Sequence, residues 1–200
     1  MPKTPFFCPA AALCLALIML SACASGGAER FYVIEALPAC TPTGLPAGDT
    51  PVLGVGPIEI PAYLDRPQII TRVRAHELML NEHALWAEPL EKAVARVIAL
   101  NLGALTGAVV EVDPWRLASR VRYRLSAQLG RLDGALGGDA VLDIRWSLRD
   151  ERSGESLITR ETHLSRASGA ADFQALAAAY SSLLAEFSRE VAGELMQLPR

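Results

Sequence analysis

From Arg120 to Arg149 the chain alternates. Val121, Tyr123, Leu125, Ala127 and Leu129 are interleaved with Arg120, Arg122, Arg124, Ser126 and Gln128. After the glycine-rich "DGALGGD" the period resumes: Ala140, Leu142, Ile144, Trp146 and Leu148 stand against Val141, Asp143, Arg145, Ser147 and Arg149. A period of two sets one row on a core and the other in water, which is the pattern of a β-sheet with one covered face. The reading is an antiparallel hairpin with basic residues on its wet face. "DERSGE" turns the chain again, and residues 157–165 add a third strand. Such a meander cannot stand without something to cover its apolar face.

Two segments can cover it. Glu88-Pro89 opens a helix, because proline at the first helical turn loses only an N–H that has no partner anyway. Leu90, Val94, Val97, Ile98, Leu102 and Leu105 follow at helical spacing, and Gly103 or Gly107 ends the run. Glu88 and Lys92 are placed to pair at i,i+4. Asp172 caps a second, longer helix. Its stripe is Phe173, Leu176, Ala177, Tyr180, Leu183, Leu184, Phe187, Val191 and Leu195, with Gln174, Ser181, Glu186, Arg189, Glu190 and Glu194 opposite. A helix that lay on a membrane would carry lysine and arginine on that polar side, so this one packs on a core.

The remaining elements are short. Residues 31–34 read as a first strand, and the proline-rich stretch 36–51 as a loop. "VLGVGPIEI" (Val52–Ile60) reads as a strand whose Gly54, Gly56 and Pro57 mark a bulge or an edge. "PAYLDRP" is a turn, "QIITRVR" a strand, "ELMLN" a short strand, and "AVVEVDPW" a strand stopped at Asp113-Pro114. Two helices on one mixed sheet make an α/β domain with a long antiparallel meander on one side.

The N-terminus is of another kind. Lys3 precedes an unbroken apolar run from Ala10 to Leu20, about half of the ~20 residues a membrane-spanning helix needs. That is a secretory signal, and it ends in Leu20-Ser21-Ala22-Cys23, similar to a bacterial lipobox. In proteins with that motif the cysteine thiol receives a diacylglycerol, the signal is cut before it, and the new amino group is acylated. The expected organisation is a signal peptide over residues 1–22, a lipidated tether over 23–30 and one domain over 31–200. The full chain has a formal net charge of −3, and Lys3 is the only charged residue of the signal, so the processed chain stands at −4. An acidic chain does not offer the basic face that nucleic acid requires. Of the four cysteines, Cys8 and Cys14 leave with the signal and Cys23 carries lipid, so Cys40 is expected as a free thiol rather than one half of an interchain pair.

No catalytic constellation emerges. There is no G-x-S-x-G, H-E-x-x-H, P-loop or G-x-G-x-x-G. His76 and His83 with Glu77 and Glu82 fit no metal spacing of known geometry and read as surface residues. Asp65 and Arg66 read as turn charges, Trp86 and Trp115 as core or interface aromatics. The Arg120, Arg122 and Arg124 row reads as a solvated strand face, with an acidic partner or lipid headgroups as the alternative. The expectation is a non-enzymatic protein with no metal and no cofactor other than the acyl chains on Cys23.

"VGPIEIPAYLDRPQIITR" (Val55–Arg72), "LWAEPLEKAVARVIALNL" (Leu85–Leu102), "VDPW" (Val112–Trp115), "RWSL" and "AYSSLLAEFSREVAGEL" (Ala179–Leu195) together resemble the paraquat-inducible protein C (PqiC) family, the ABC-type transport auxiliary lipoproteins. The "YLDRPQI" element is the most specific part. The family pattern often has an arginine before the "WAEPL" tryptophan, where this chain has Leu85. The resemblance implies a three-layer α/β sandwich with a mixed, largely antiparallel sheet and two main helices. It implies an auxiliary or docking role beside an MCE-domain (PqiB-like) protein in intermembrane lipid transport, in support of membrane integrity, and a ring-shaped partner would suit a homo-oligomer. The residues expected to meet the partner are Tyr63, Leu64, Asp65, Arg66, Pro67, Gln68, Trp86 and Glu88. In lipoproteins of this kind an aspartate after the lipidated cysteine favours inner-membrane retention. Ala24 stands there, so the outer membrane is expected. Two other classes remain: an outer-membrane lipoprotein that activates a peptidoglycan synthase, and a periplasmic hydrolase.

Overall fold

The computed structural model describes residues 28–38, 52–116 and 120–198. The signal peptide, Cys23 and Cys40 lie outside the described residues. The elements are β1 (Arg30–Tyr32), β2 (Val52–Glu59), β3 (Gln68–Arg74), β4 (Glu77–Trp86), α1 (Leu90–Thr106), β5 (Val110–Val112), β6 (Val121–Gly134), β7 (Asp139–Asp150), β8 (Ser156–Ala167) and α2 (Phe173–Leu195). The chain is an α/β protein.

The meander is as the alternation requires. β6 pairs antiparallel with β7, and β7 with β8. Leu125, Leu142 and Leu148 are fully buried, and Trp146 nearly so. Trp146 meets the Phe187 ring edge-on at 6.0 Å, which seats α2 on β7. Asp172 caps α2 by accepting the Ala175 N–H at 2.8 Å. α1 ends at Gly107, whose φ of 71° is left-handed and whose N–H donates to the Gly103 carbonyl at 2.9 Å. The two helices pack on each other and on one face of the larger sheet.

Two expectations are corrected and one open alternative is decided. The strands form two sheets rather than one: β5-β2-β6-β7-β8 and β1-β4-β3. β2 is interior, parallel to both β5 and β6, so its glycines and proline mark a bulge between Val55 and Ile58 and not an edge. Gly56 has φ 127°, and a Cβ there would lie 2.7 Å from the Asp113 Cβ, so only glycine fits the bulge. "ELMLN" is the outer half of a ten-residue strand. Hydrophobic pattern does not reveal that length, because most of β4 is not covered by the rest of the domain.

Candidate functional site

The loop after β2 and the end of β4 are brought together. The Leu64 N–H donates to the Pro61 carbonyl and the Arg66 N–H to the Leu64 carbonyl, both at 2.8 Å. The Trp86 N–H donates to the Pro67 carbonyl at 2.7 Å, tying the "YLDRP" loop to "WAEPL". The eight residues expected to meet a partner then divide. Leu64 and Trp86 are buried in the core, Trp86 against the Tyr180 ring at 6.0 Å. Leu85, at the position where the family pattern often has arginine, is also buried. Tyr63, Gln68 and Glu88 are half-buried, and Asp65, Arg66 and Pro67 are exposed side by side. Glu88 does not pair with Lys92. It accepts both Nε (3.0 Å) and Nη2 (2.5 Å) of Arg96, and Arg96 also donates to the Ile34 carbonyl at 3.2 Å. Arginine brings two charge-assisted donors to one carboxylate oxygen, Oε1, which favours that partner.

Beneath the loop lies a group that the sequence does not single out. Asp133 is completely buried. Its Oδ1 accepts Arg72 Nε at 2.9 Å and Arg131 Nη2 at 2.8 Å. Its Oδ2 accepts Arg72 Nη2 at 2.7 Å and the Tyr63 hydroxyl at 3.2 Å. Burial by itself would raise the Asp133 pKa, but the hydrogen bonds and charges of Arg72 and Arg131 outweigh it and hold the carboxyl below the usual range. The Tyr63 hydroxyl is pushed up to about 12, first by burial and then by the neighbouring Asp133 charge and hydrogen bond. Tyr180 is raised as well, chiefly by burial, and its hydroxyl has no hydrogen-bond partner among the described residues. A carboxylate with this many donors is a fastener and not a base: its lone pairs are already engaged. It joins β3, β6 and the "YLDRP" loop.

Asp133 opens "DGALGGD", which reads as a turn. It is in fact within β6, beyond a register shift between Leu129 and Arg131 that reverses the alternation. No signal in the sequence marks that shift.

The arginine row is not simply solvated. Arg124 Nε lies 3.1 Å from Glu151 Oε1 and its guanidinium sits over the Trp115 ring at 4.7 Å. Arg122 lies 3.7 Å from Asp150 and 5.2 Å from the Tyr123 ring centroid. Both are half-buried, and only Arg120 is exposed. Trp115 thus covers part of the sheet face opposite the helices. Among the described residues no group of His, Cys, Asp and Glu is arranged to hold a metal ion, and no helix is long and apolar enough to cross a membrane. His76, Glu77, Glu82 and His83 are all exposed.

A family model described as "ABC-type transport auxiliary lipoprotein component" matches residues 32–192. Among solved structures, an uncharacterized protein superposes with a TM-score of 0.70 at 18% identity, covering 84% of this chain and 99% of its own. Protein XCC0632 from Xanthomonas campestris, of family DUF330, superposes at 0.67 and 21% identity, covering 84% and 94%. At these identities the superpositions speak for the fold. No curated protein sequence matches the chain.

Proposed function

Because the chain belongs to the ABC-type transport auxiliary lipoprotein family, we propose that it is the outer-membrane-anchored, periplasmic docking component of an MCE-type lipid transport system. The observation that carries this reading is the family match across nearly the whole domain. In this reading Cys23 holds the acyl chains and the protein performs no chemistry of its own. The domain presents Asp65, Arg66 and Pro67, fixed from beneath by Tyr63 and Asp133, to the MCE-domain protein. A loop that is rigid before it binds loses little entropy on binding, which is the use of a buried fastener under an exposed turn.

The test is affinity purification of the tagged, lipidated protein from gently solubilised membranes, with mass spectrometry of the partners. An MCE-domain protein is expected, and the double charge reversal Asp65→Lys, Arg66→Glu should reduce its recovery at least several-fold with thermal stability unchanged, since both side chains are exposed. Recovery of a peptidoglycan synthase in its place would overturn the reading.

A further inference from the structure

β3 and β4 form an arm. Their inner halves are in the core: Ile69 and Ile70 on β3, Ala84, Leu85 and Trp86 on β4. Arg72 holds the arm to Asp133, close to the β6–β7 turn. Beyond that point both faces of the hairpin are open to solvent. Arg72 pairs with Leu78 and Thr71 with Met79, so Leu78 and Leu80 share one face, and Met79 and Val73 lie on the other. All four are exposed, by 38–50%. Leu136, in the β6–β7 turn that follows Asp133, is exposed as well. A two-stranded arm with apolar residues on both faces gains nothing from water.

The path of the chain says what it meets. β1 runs parallel to β4, with Arg30 beside Ala84 and Tyr32 beside Trp86. The chain therefore enters the domain from the side of the arm. Cys23 precedes Arg30 by seven residues, which reach at most ~25 Å when fully extended. From Ala84 out to Glu77 is also seven residues, ~24 Å at ~3.4 Å per residue. The tether at full stretch is about as long as the arm, so a domain held at Cys23 stands off the bilayer by no more than about the length the arm spans.

We propose that the tip of the β3–β4 arm, Val73 with Leu78, Met79 and Leu80, is a lipid-surface contact that seats the domain on the membrane holding its acyl chains. The inference rests on the lipoprotein reading of Cys23. The tip is nearly neutral. Arg74 and Glu77 pair at 2.9 Å across the turn, and Glu82 is the remaining full charge from Val73 to His83. Contact is thus driven by apolar area and needs no anionic lipid. It is shallow, at the headgroup–acyl boundary ~5–10 Å deep. Between Glu77 and His83, β4 has one hydrogen-bonding edge without a strand beside it among the described residues, and such an edge does not enter hydrocarbon.

The test uses the full chain, expressed with its own signal, extracted from membranes and reconstituted in phosphatidylcholine vesicles with brominated or plain acyl chains. Met79→Trp and Leu80→Trp place a reporter on each face of the arm. Met196→Trp places one beyond the last turn of α2, at the far end of the domain, where Glu194 pairs with Arg160 early in β8. The mass of the purified chain reports acylation of Cys23. The expected result is an acylated chain whose added emission at 79 and 80 falls roughly two-fold with brominated lipid, as for side chains at the acyl boundary, and at 196 does not. Equal quenching at all three positions, or none at 79 and 80 in an acylated chain, overturns the arm contact and leaves the anchor standing. A blue-shifted, unquenched emission that persists without vesicles puts a second copy or another protein on the arm and overturns it too. A chain without acyl groups overturns the anchor and the contact together.

Discussion

Replacing Asp133 by asparagine tests whether the buried carboxylate is the fastener described above. The substitution keeps the shape and removes the charge. Two guanidiniums then face a neutral amide, and one of the amide's two heads is a donor that no arginine can use. Breaking a buried ion pair from one side costs ~3–5 kcal/mol. Arg72 and Arg131 keep 24% and 33% of their side-chain surface in water and recover part of their hydration, so the expected loss is about 2–4 kcal/mol. In a domain of this size that is a fall in Tm of roughly 5–12 °C. Thermal and urea unfolding of the wild type and the variant would measure it, and pH supplies a second check. The folded carboxyl holds its proton more weakly than the unfolded one. Its contribution is therefore complete above the unfolded value of about 4 and is lost as pH falls through the lower folded value. The wild type should lose this part of its advantage below about pH 4, and Asp133→Asn should lack that part of the acid dependence. A loss of less than ~1 kcal/mol, the scale of an exposed ion pair, or an unchanged acid profile would refute the fastener.

Three further outcomes follow from particular contacts. A Cβ at Gly134 would stand 2.8 Å from the Ala140 Cα and the Asp139 carbonyl oxygen, whereas one at Gly130 would meet nothing closer than 3.6 Å. Gly134→Ala should therefore cost ~1–3 kcal/mol by overpacking and Gly130→Ala much less, by urea denaturation of each. Asp172→Ala removes the acceptor of the Ala175 N–H and should cost ~1 kcal/mol of stability, read as a lowered Tm. Cys23→Ser should abolish incorporation of labelled palmitate and leave the chain uncleaved or mislocalised; normal outer-membrane fractionation of that variant would refute the anchor.

Local pattern was legible because its causes are local. The alternation from Val121 to Leu129 and from Ala140 to Leu148 marks the rows that the helices cover, and a covered row must be apolar whatever covers it. The Asp172 cap and the glycine after α1 depend on backbone geometry within one turn. The candidate site was half legible. "YLDRP" and "WAEPL" stand out in the sequence and do meet, but residue type alone does not separate Leu64 and Trp86, which fill the core, from Asp65, Arg66 and Pro67, which face outward.

What the sequence determined by itself, then, is where the antiparallel meander and the two helices lie and which face of each is apolar. Those properties follow from side chains a few positions apart along one backbone. The tertiary structure alone decided what each exposed-looking charge does. Arg124 meets Trp115 and Glu151, and Asp133 meets a tyrosine 70 residues away and an arginine 61 residues away. It also decided that the β3–β4 hairpin runs out beyond the core. A charge is worth little in water and a great deal when buried, and burial is set by segments that arrive from elsewhere in the chain. Residue order along a strand does not carry that information.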